Sequence, residues 1–583
     1  MSFEARLSPA RVSAAAAVAF PRRALWLLLI LYIGAGLVGR DPWGAEDAAG
    51  FGVMWSMAHG NPVDLVLPVV AGDWSAEEGP LPFWVGALML RLFGGLLGEP
   101  LAARLSTVLW FALATTALWY ATYRFARRAE AQPVTFAFGG EAAPRDYGRM
   151  LADMAVLLLL GTVGIALRMH ETTAETAALA WLLVALFGLA WSLERPRRGA
   201  LVAGLAVAAA ALSRGPWLGL WLLVAVLAAL AVSGAPRDRP QRLAIAASAA
   251  LGGFALWPLL TLLAPEASRV AYWQAYAGWL ARSVGVPWLA EPGWLPSNLA
   301  WYLWPLWPLA AWTLYAWRHL LRAPHVLLPT LALGAMLGAV LTTAPLTEAA
   351  LVPLVPPLLV LAVFGAASLR RSLDTLMDWF AMATFSLFAV AAWAYFIAWQ
   401  TGAPPRMATS VLRLVPGFQE APGLPLLLLA AAGTAGWATL IGWRVARRPP
   451  MLWTGPLLAG AGLTMLWLLL TTLFIAAVNY NRSYRPIAQQ VAEQVRQQVA
   501  AGATACVRAH RLPAGQRAMF AHFGKLDFGH PARPQPCELL LQRDSRRSAL
   551  DDDLPPGEWR QVWIGSWPAR PDELIRLHRL VGR

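Results

Sequence analysis

Two carboxylates stand side by side at Glu46 and Asp47, in "GRDPWGAEDAAGFGVMWSM" (residues 39–57), just past the first apolar run. A carboxylate at a membrane face suits general-base chemistry, with one substrate arriving from water and a lipid-borne partner from the bilayer. Seven acids lie between Asp41 and Glu78, with no Lys or Arg among them. A solvated polar face is the competing reading, and it is strongest for Asp64 and Asp73. A second cluster, "RMHETTAET" at 168–176, offers Arg168, His170, Glu171 and Glu175. Ionisable groups at membrane depth are functional candidates by default, although span ends also carry polar anchors. Glu175 is the stronger candidate there. His170 and Glu171 make a weak metal pair, because adjacent helical residues point in different directions.

A third stretch, "LSRGPWLG" at 212–219, breaks two apolar runs with Gly-Pro beside Arg214. A cation at a helix end suits an anion, and a snorkelling arginine is the plainer alternative. The fourth is "YWQAYAGWLARSVGVPW", with Trp273 and Arg282. Its aromatics read first as an interfacial belt, second as a sugar- and prenyl-contacting surface. The run Asp551–Asp553 reads as a solvated turn.

These residues must be positioned by membrane helices. Of the 583 residues, 58% are hydrophobic and 14% charged, which excludes an ordinary soluble domain. The net charge of +14 does not indicate nucleic acid, because the arginines sit in short clusters between apolar runs. Lys525 is the only lysine. Apolar stretches near 24–38, 103–123, 150–168, 175–193, 199–213, 216–233, 243–264, 300–317, 326–345, 350–368, 376–399, 424–443 and 452–478 predict about 13 transmembrane helices. The basic clusters, Arg6, Arg11, Arg22 and Arg23, then "RFARR", "ERPRR", "RDRPQR", "RHLLR", "LRR" and "WRVARR", all fall inside if the N-terminus is cytoplasmic. That holds only if 81–98 does not cross. Arg91 at its middle and its Gly and Pro content predict an interfacial helix instead.

The same parity places 39–102 and the loops at 169–174, 265–299, 346–349 and 400–423 outside, and exports the tail. Residues 1–480 then form the membrane domain and 481–583 a small C-terminal α/β periplasmic domain. "YRPIAQQVAEQVRQQVAAG" has helical spacing; "ACVRAHR", "MFAHFG", "CELLLQR" and "QVWIGSW" read as strands. Cys506 and Cys537, the two cysteines, pair if this segment meets an oxidising compartment and stay thiols otherwise. Export favours the disulfide.

In these features the chain resembles the bacterial aminoarabinose transferases and the protein O-mannosyltransferase-like membrane glycosyltransferases of the GT-C fold. The family's "W-x-x-D-E" pattern, followed by a Met, is met by Trp43, Glu46, Asp47 and Met57. Its "E-K-P-P-L-x-Y-W" is met by "EEGPLPFW", which includes Glu78 and Trp84. Its "K-G-P" is met by Arg214-Gly215-Pro216, and a carboxylate before the fourth span by Glu175. The resemblance implies that a sugar moves from a polyprenyl-phosphate carrier to an acceptor (lipid A, another glycan or a protein) at the outer face. It implies a first-loop carboxylate, Glu46 or Asp47, as the working base. Two family lysines are missing: one falls on Glu78, and the later Lys-x-Pro-x-Tyr is absent around Pro345. Arg214, Arg168 and Arg282 are the replacement cations for the donor phosphate. His170, Glu78, Trp84 and Trp273 are further donor or acceptor contacts. The leaving phosphate is a stable dianion, so no metal or other cofactor is called for. Membrane lipids are the other expected partners; nucleic acid is not one. Two rival readings stay open: a transporter, and a non-catalytic protein that retains the fold.

Overall fold

The computed structural model describes residues 8–447, 451–545, 554–567 and 569–582. Arg6, Arg448 and the Asp551–Asp553 run lie outside them. The described chain is mostly helical. In order it forms α1 (Arg22–Gly34), α2 (Gly44–His59), α3 (Leu81–Leu97), α4 (Glu99–Ala126), α5 (Pro144–Leu160), the short α6 (Ile165–Arg168), α7 (Ala174–Ser192), α8 (Pro196–Arg214), α9 (Pro216–Val232), α10 (Arg239–Leu260) and α11 (Glu266–Ser283). Then follow α12 (Trp294–Tyr302), α13 (Leu306–Ala316), α14 (Pro324–Leu341), α15 (Val355–Ala367), α16 (Arg371–Thr401), α17 (Pro405–Leu414), α18 (Leu424–Arg447), α19 (Thr454–Leu473), α20 (Ile475–Arg482), α21 (Arg485–Ala500) and α22 (Ala514–Gly524).

Among the described residues, eight helices are long and apolar enough to cross a membrane. The count of about 13 is therefore not reproduced. The run at 24–38 yields only the 13-residue α1. The run at 300–317 is cut before α13, where a proline at 305 interrupts the ladder. The run at 150–168 ends as a helix at Leu160 and restarts only as the single turn of α6. The 17-residue α3 and α9 are apolar but shorter.

Burial sorts the long helices. The segment Glu348–Ala367 and α7 are enclosed almost all round, whereas α10, α16 and α18 turn most of their apolar surface outward. Exposed Leu387, Phe388, Val390, Leu424 and Leu428 make sense only against lipid. Arg91, the odd charge in α3, donates to the carbonyls of Met57 and Ala58 and so caps the C-terminal end of α2.

The tail carries a four-stranded sheet. Strands β3 (Val507–His510), β4 (Leu539–Ser545), β5 (Glu558–Trp567) and β6 (Arg570–Gly582) follow the hairpin β1–β2 (Val69–Val70, Asp73–Trp74) of the first loop. The order in the sheet is β3-β4-β6-β5, with β3 parallel to β4 and the rest antiparallel. Helices α21 and α22 cover it through Ile487, Val491 and Phe520 against Leu541 and Leu577. "MFAHFG" is helical, not a strand: it closes α22, where Ala518, Met519 and Phe520 are buried. Cys506 and Cys537 are bonded to each other, with Cα atoms 5.0 Å apart.

Candidate functional site

A cavity of about 480 Å³ opens where α2, α7, α8, α9 and α11 end. Glu46, Glu77, Glu78, Glu175 and Arg214 line it, together with Trp217, Trp279, Ser283, Pro345 and Thr347. Pro513, Ala514 and Gly515 of the tail close one wall. Helix ends, not helix middles, supply the charges. Arg214 is the last residue of α8, and Gly215, at φ +97°, lets Pro216 start α9 at once. Glu175 sits in the first turn of α7, the end where a carboxylate meets the positive pole of the helix.

Two arginines knit the acids. Arg214 donates to Glu78, and its other nitrogen lies 3.2 Å from Glu175. Arg168 donates to Glu46 and, at 3.0 Å, to Glu171. Four carboxyls thus share two guanidinium groups. Burial pushes the Glu78 carboxyl up to about 8; Glu175, Glu77 and Glu46 push the same way and Arg214 opposes them. Burial likewise raises Glu171 to about 8, with Asp47 and Glu175 adding to it and Arg168 opposing.

Asp47 is corrected as a candidate base. Successive residues on a helix point roughly 100° apart, so Glu46 faces the cavity while Asp47 turns into the protein. Asp47 is fully buried. Its carboxylate accepts from Arg40 at 3.1 Å, the Trp43 amide at 2.9 Å, and both the amide and hydroxyl of Thr172 at 2.8 Å. Arg104 stands 3.8 Å away. Burial alone would raise this group, but Arg40, Arg104 and the two amide donors outweigh it and hold the carboxyl below its ordinary value. Every strong acceptor site is taken, so Asp47 ties α2 to α4 and the 169–173 turn.

Four further candidates also lie off the cavity. His170 is fully buried, its ring nitrogens 2.6 and 2.8 Å from the carbonyl oxygens of Ala166 and Tyr32. Burial lowers it to about 4, while its contacts with the two carbonyls favour the protonated ring. Trp84 donates to the Leu65 carbonyl, and Trp273 donates to Thr261 and packs on Trp257 and Tyr276. Arg282 is exposed; the helical phase of α11 gives Trp279 and Ser283 to the cavity instead. Arg168 does not line the cavity and meets it through its contact with Glu46. Among the described residues, no group of three His, Cys, Asp or Glu side chains is placed to hold a metal ion.

The sequence reading missed Glu77, Trp217, Trp279 and the tail residues Pro513–Gly515. Trp217 stood inside the quoted "RGPWLG". The tail wall carries no local signal: its position comes from α22 packing on α2, where Gly52 meets Ala518.

Close approach fixes the frame. A Cβ on Gly50 would lie 2.0 Å from the Thr172 carbonyl oxygen, and one on Gly79 2.0 Å from that of Leu212. These two glycines let the backbones carrying Glu46 and Glu78 press against the turns carrying Glu171 and Arg214.

No protein-family model matches the chain, and no curated protein matches it in sequence. Solved structures do match in shape. ArnT from Cupriavidus metallidurans bound to undecaprenyl phosphate superposes with a TM-score of 0.62 at 15% identity, covering 95% of this chain and 97% of that one. The same enzyme in the apo state gives 0.61 at 16% identity, covering 95% and 96%. At such identities the likeness speaks for architecture alone, and on that ground the chain has the GT-C glycosyltransferase fold.

Proposed function

We propose that the protein is a multi-pass inner-membrane glycosyltransferase that moves a sugar from a polyprenyl-phosphate carrier to an acceptor at the periplasmic face. The observation that carries this reading is the meeting of Glu46, Glu175 and Arg214 on one cavity at the helix ends. The undecaprenyl phosphate bound to one structural neighbour supports the donor class. In this reading the N-terminus is cytoplasmic and the tail periplasmic.

Glu46 takes the proton of the acceptor hydroxyl. The freed oxygen attacks the anomeric carbon, the bond from that carbon to the phosphate oxygen breaks, and the electron pair leaves with the polyprenyl phosphate. Arg214 faces the developing phosphate charge. Arg168 holds Glu46 in place. Glu175 orients Arg214 from below, and Trp217 and Trp279 offer flat faces to the sugar. The acceptor is a lipid, a glycan or a protein.

The test is Glu46→Gln assayed for transfer in membranes from a polyprenyl-phosphate sugar. Loss of about 10²- to 10⁴-fold in rate is expected. Unchanged transfer removes the assignment.

A further inference from the structure

A second cavity of about 680 Å³ lies apart from the first and shares no lining residue with it. Its walls are Leu37, Leu97, Leu101, Leu426, Leu473 and Ile475, drawn from the turn after α1 and the ends of α3, α4, α18, α19 and α20. Its polar lining comprises Arg40, Asp41, Glu420, Ser483 and Arg485. Phe418 and Tyr480 stack at its edge, with ring centroids 4.6 Å apart. Apolar walls meeting a polar end beside paired aromatics match the level where acyl chains give way to headgroups.

Charge decides which headgroup. Arg485 grips Asp41 with Nε at 3.0 Å and Nη2 at 2.5 Å, yet its side chain remains 45% exposed. Arg40, which lines the cavity, and Arg104 share the single carboxylate of Asp47, while Arg485 pairs with Asp41. Glu420 is exposed and has no hydrogen-bond or ion-pair partner among the described residues. A purely anionic headgroup would meet Glu420 as a repulsive neighbour. A group carrying phosphate and ammonium together satisfies both charges.

We propose that this cavity is a binding site for one membrane phospholipid with a zwitterionic phosphoethanolamine headgroup. The phosphate lies against Arg485, the ammonium against Glu420, and an acyl chain runs between Leu101, Leu426 and Leu473. The lipid joins three parts of the chain: the first-loop entry at Asp41, the loop before α18, and the start of the tail at Arg485. This site stands independently of the transfer reading.

The experiment is native mass spectrometry of the full chain purified in detergent, with dioleoyl-phosphatidylethanolamine and dioleoyl-phosphatidylglycerol supplied in equal amounts. One phosphatidylethanolamine retained per chain, preferred about tenfold, is expected, because a charge-assisted contact is worth about one decade in affinity. Glu420→Gln should abolish that preference with an unchanged unfolding temperature. Ala476→Trp, which fills the groove, should abolish retention of both lipids. Equal retention of the two lipids by the unaltered chain, or a preference that survives Glu420→Gln, overturns the proposal.

Discussion

Glu46 and Asp47 are neighbours with opposite fates, and substitution separates them. Asp47→Asn leaves two buried guanidinium groups facing a neutral amide. Breaking such a buried pair costs about 3–5 kcal/mol, so the unfolding temperature and the yield of folded protein should fall together. Glu46 is half exposed, and Glu46→Gln should shift stability by under about 0.5 kcal/mol while transfer falls. Equal thermal losses in the two variants would contradict this division. Glu78 adds a pH prediction. Its folded value, about 8, lies above its ordinary 4.5, so the folded protein keeps a proton there that the unfolded chain releases. Its stability contribution is therefore present at low pH and lost as pH rises through 8. The same rise places a second negative charge on Arg214. The KM for the polyprenyl-phosphate donor should climb above pH 8, and Glu78→Gln should flatten that climb. The candidate pair was legible from sequence because it lies beside a span end. The choice within it was not, because Arg104 and Thr172, which claim Asp47, are remote in sequence.

At the scale of elements, the cavity depends on how tightly α2 presses on its neighbours. Gly50→Ala places a methyl group on the Thr172 carbonyl, and α2 must move outward. Overpacking of this kind costs about 1–3 kcal/mol, and here it also shifts Glu46 away from Arg168. Transfer should fall by more than the loss of folded protein explains. Gly95→Ala in α3, with open space around its Cβ, is the control and should be neutral or mildly stabilising. Helix positions read well from apolar runs: α4, α7, α14 and α18 each lie within a few residues of their expected spans. Breaks read poorly, as the short α13 and the interrupted α5 show, since both depend on single prolines and glycines inside apolar sequence. Arg282 failed for a related reason: its distance from the cavity is a matter of helical phase, and only packing of α11 against α10 sets that phase.

Across the whole molecule, three acids of the first loop find their partners in the tail. Asp41 pairs with Arg485, Asp64 with His530 and Asp73 with Arg517. Asp64 and Asp73, read equally well as a solvated face, instead dock the last segment of the chain. That segment is held by the Cys506–Cys537 bond, which closes 31 residues around Pro513–Gly515 and α22. Closing a loop of this length is worth roughly 3–4 kcal/mol in the chain-entropy account. Replacing both cysteines by Ser should make the tail sensitive to protease and lower transfer together, with the membrane helices left intact. Retained activity with a cleaved tail would argue that the wall formed by Pro513–Gly515 is dispensable.

That wall also sets a schedule. Glu46 leaves the ribosome early, whereas Pro513–Gly515 follow more than four hundred residues later, on the order of a minute at ordinary synthesis rates. For that interval the nascent protein can sit in the bilayer with its acids and arginines already threaded but with no closed chamber around them. In the transfer reading, a chain still being made holds its acids and arginines open to water until Pro513–Gly515 arrive.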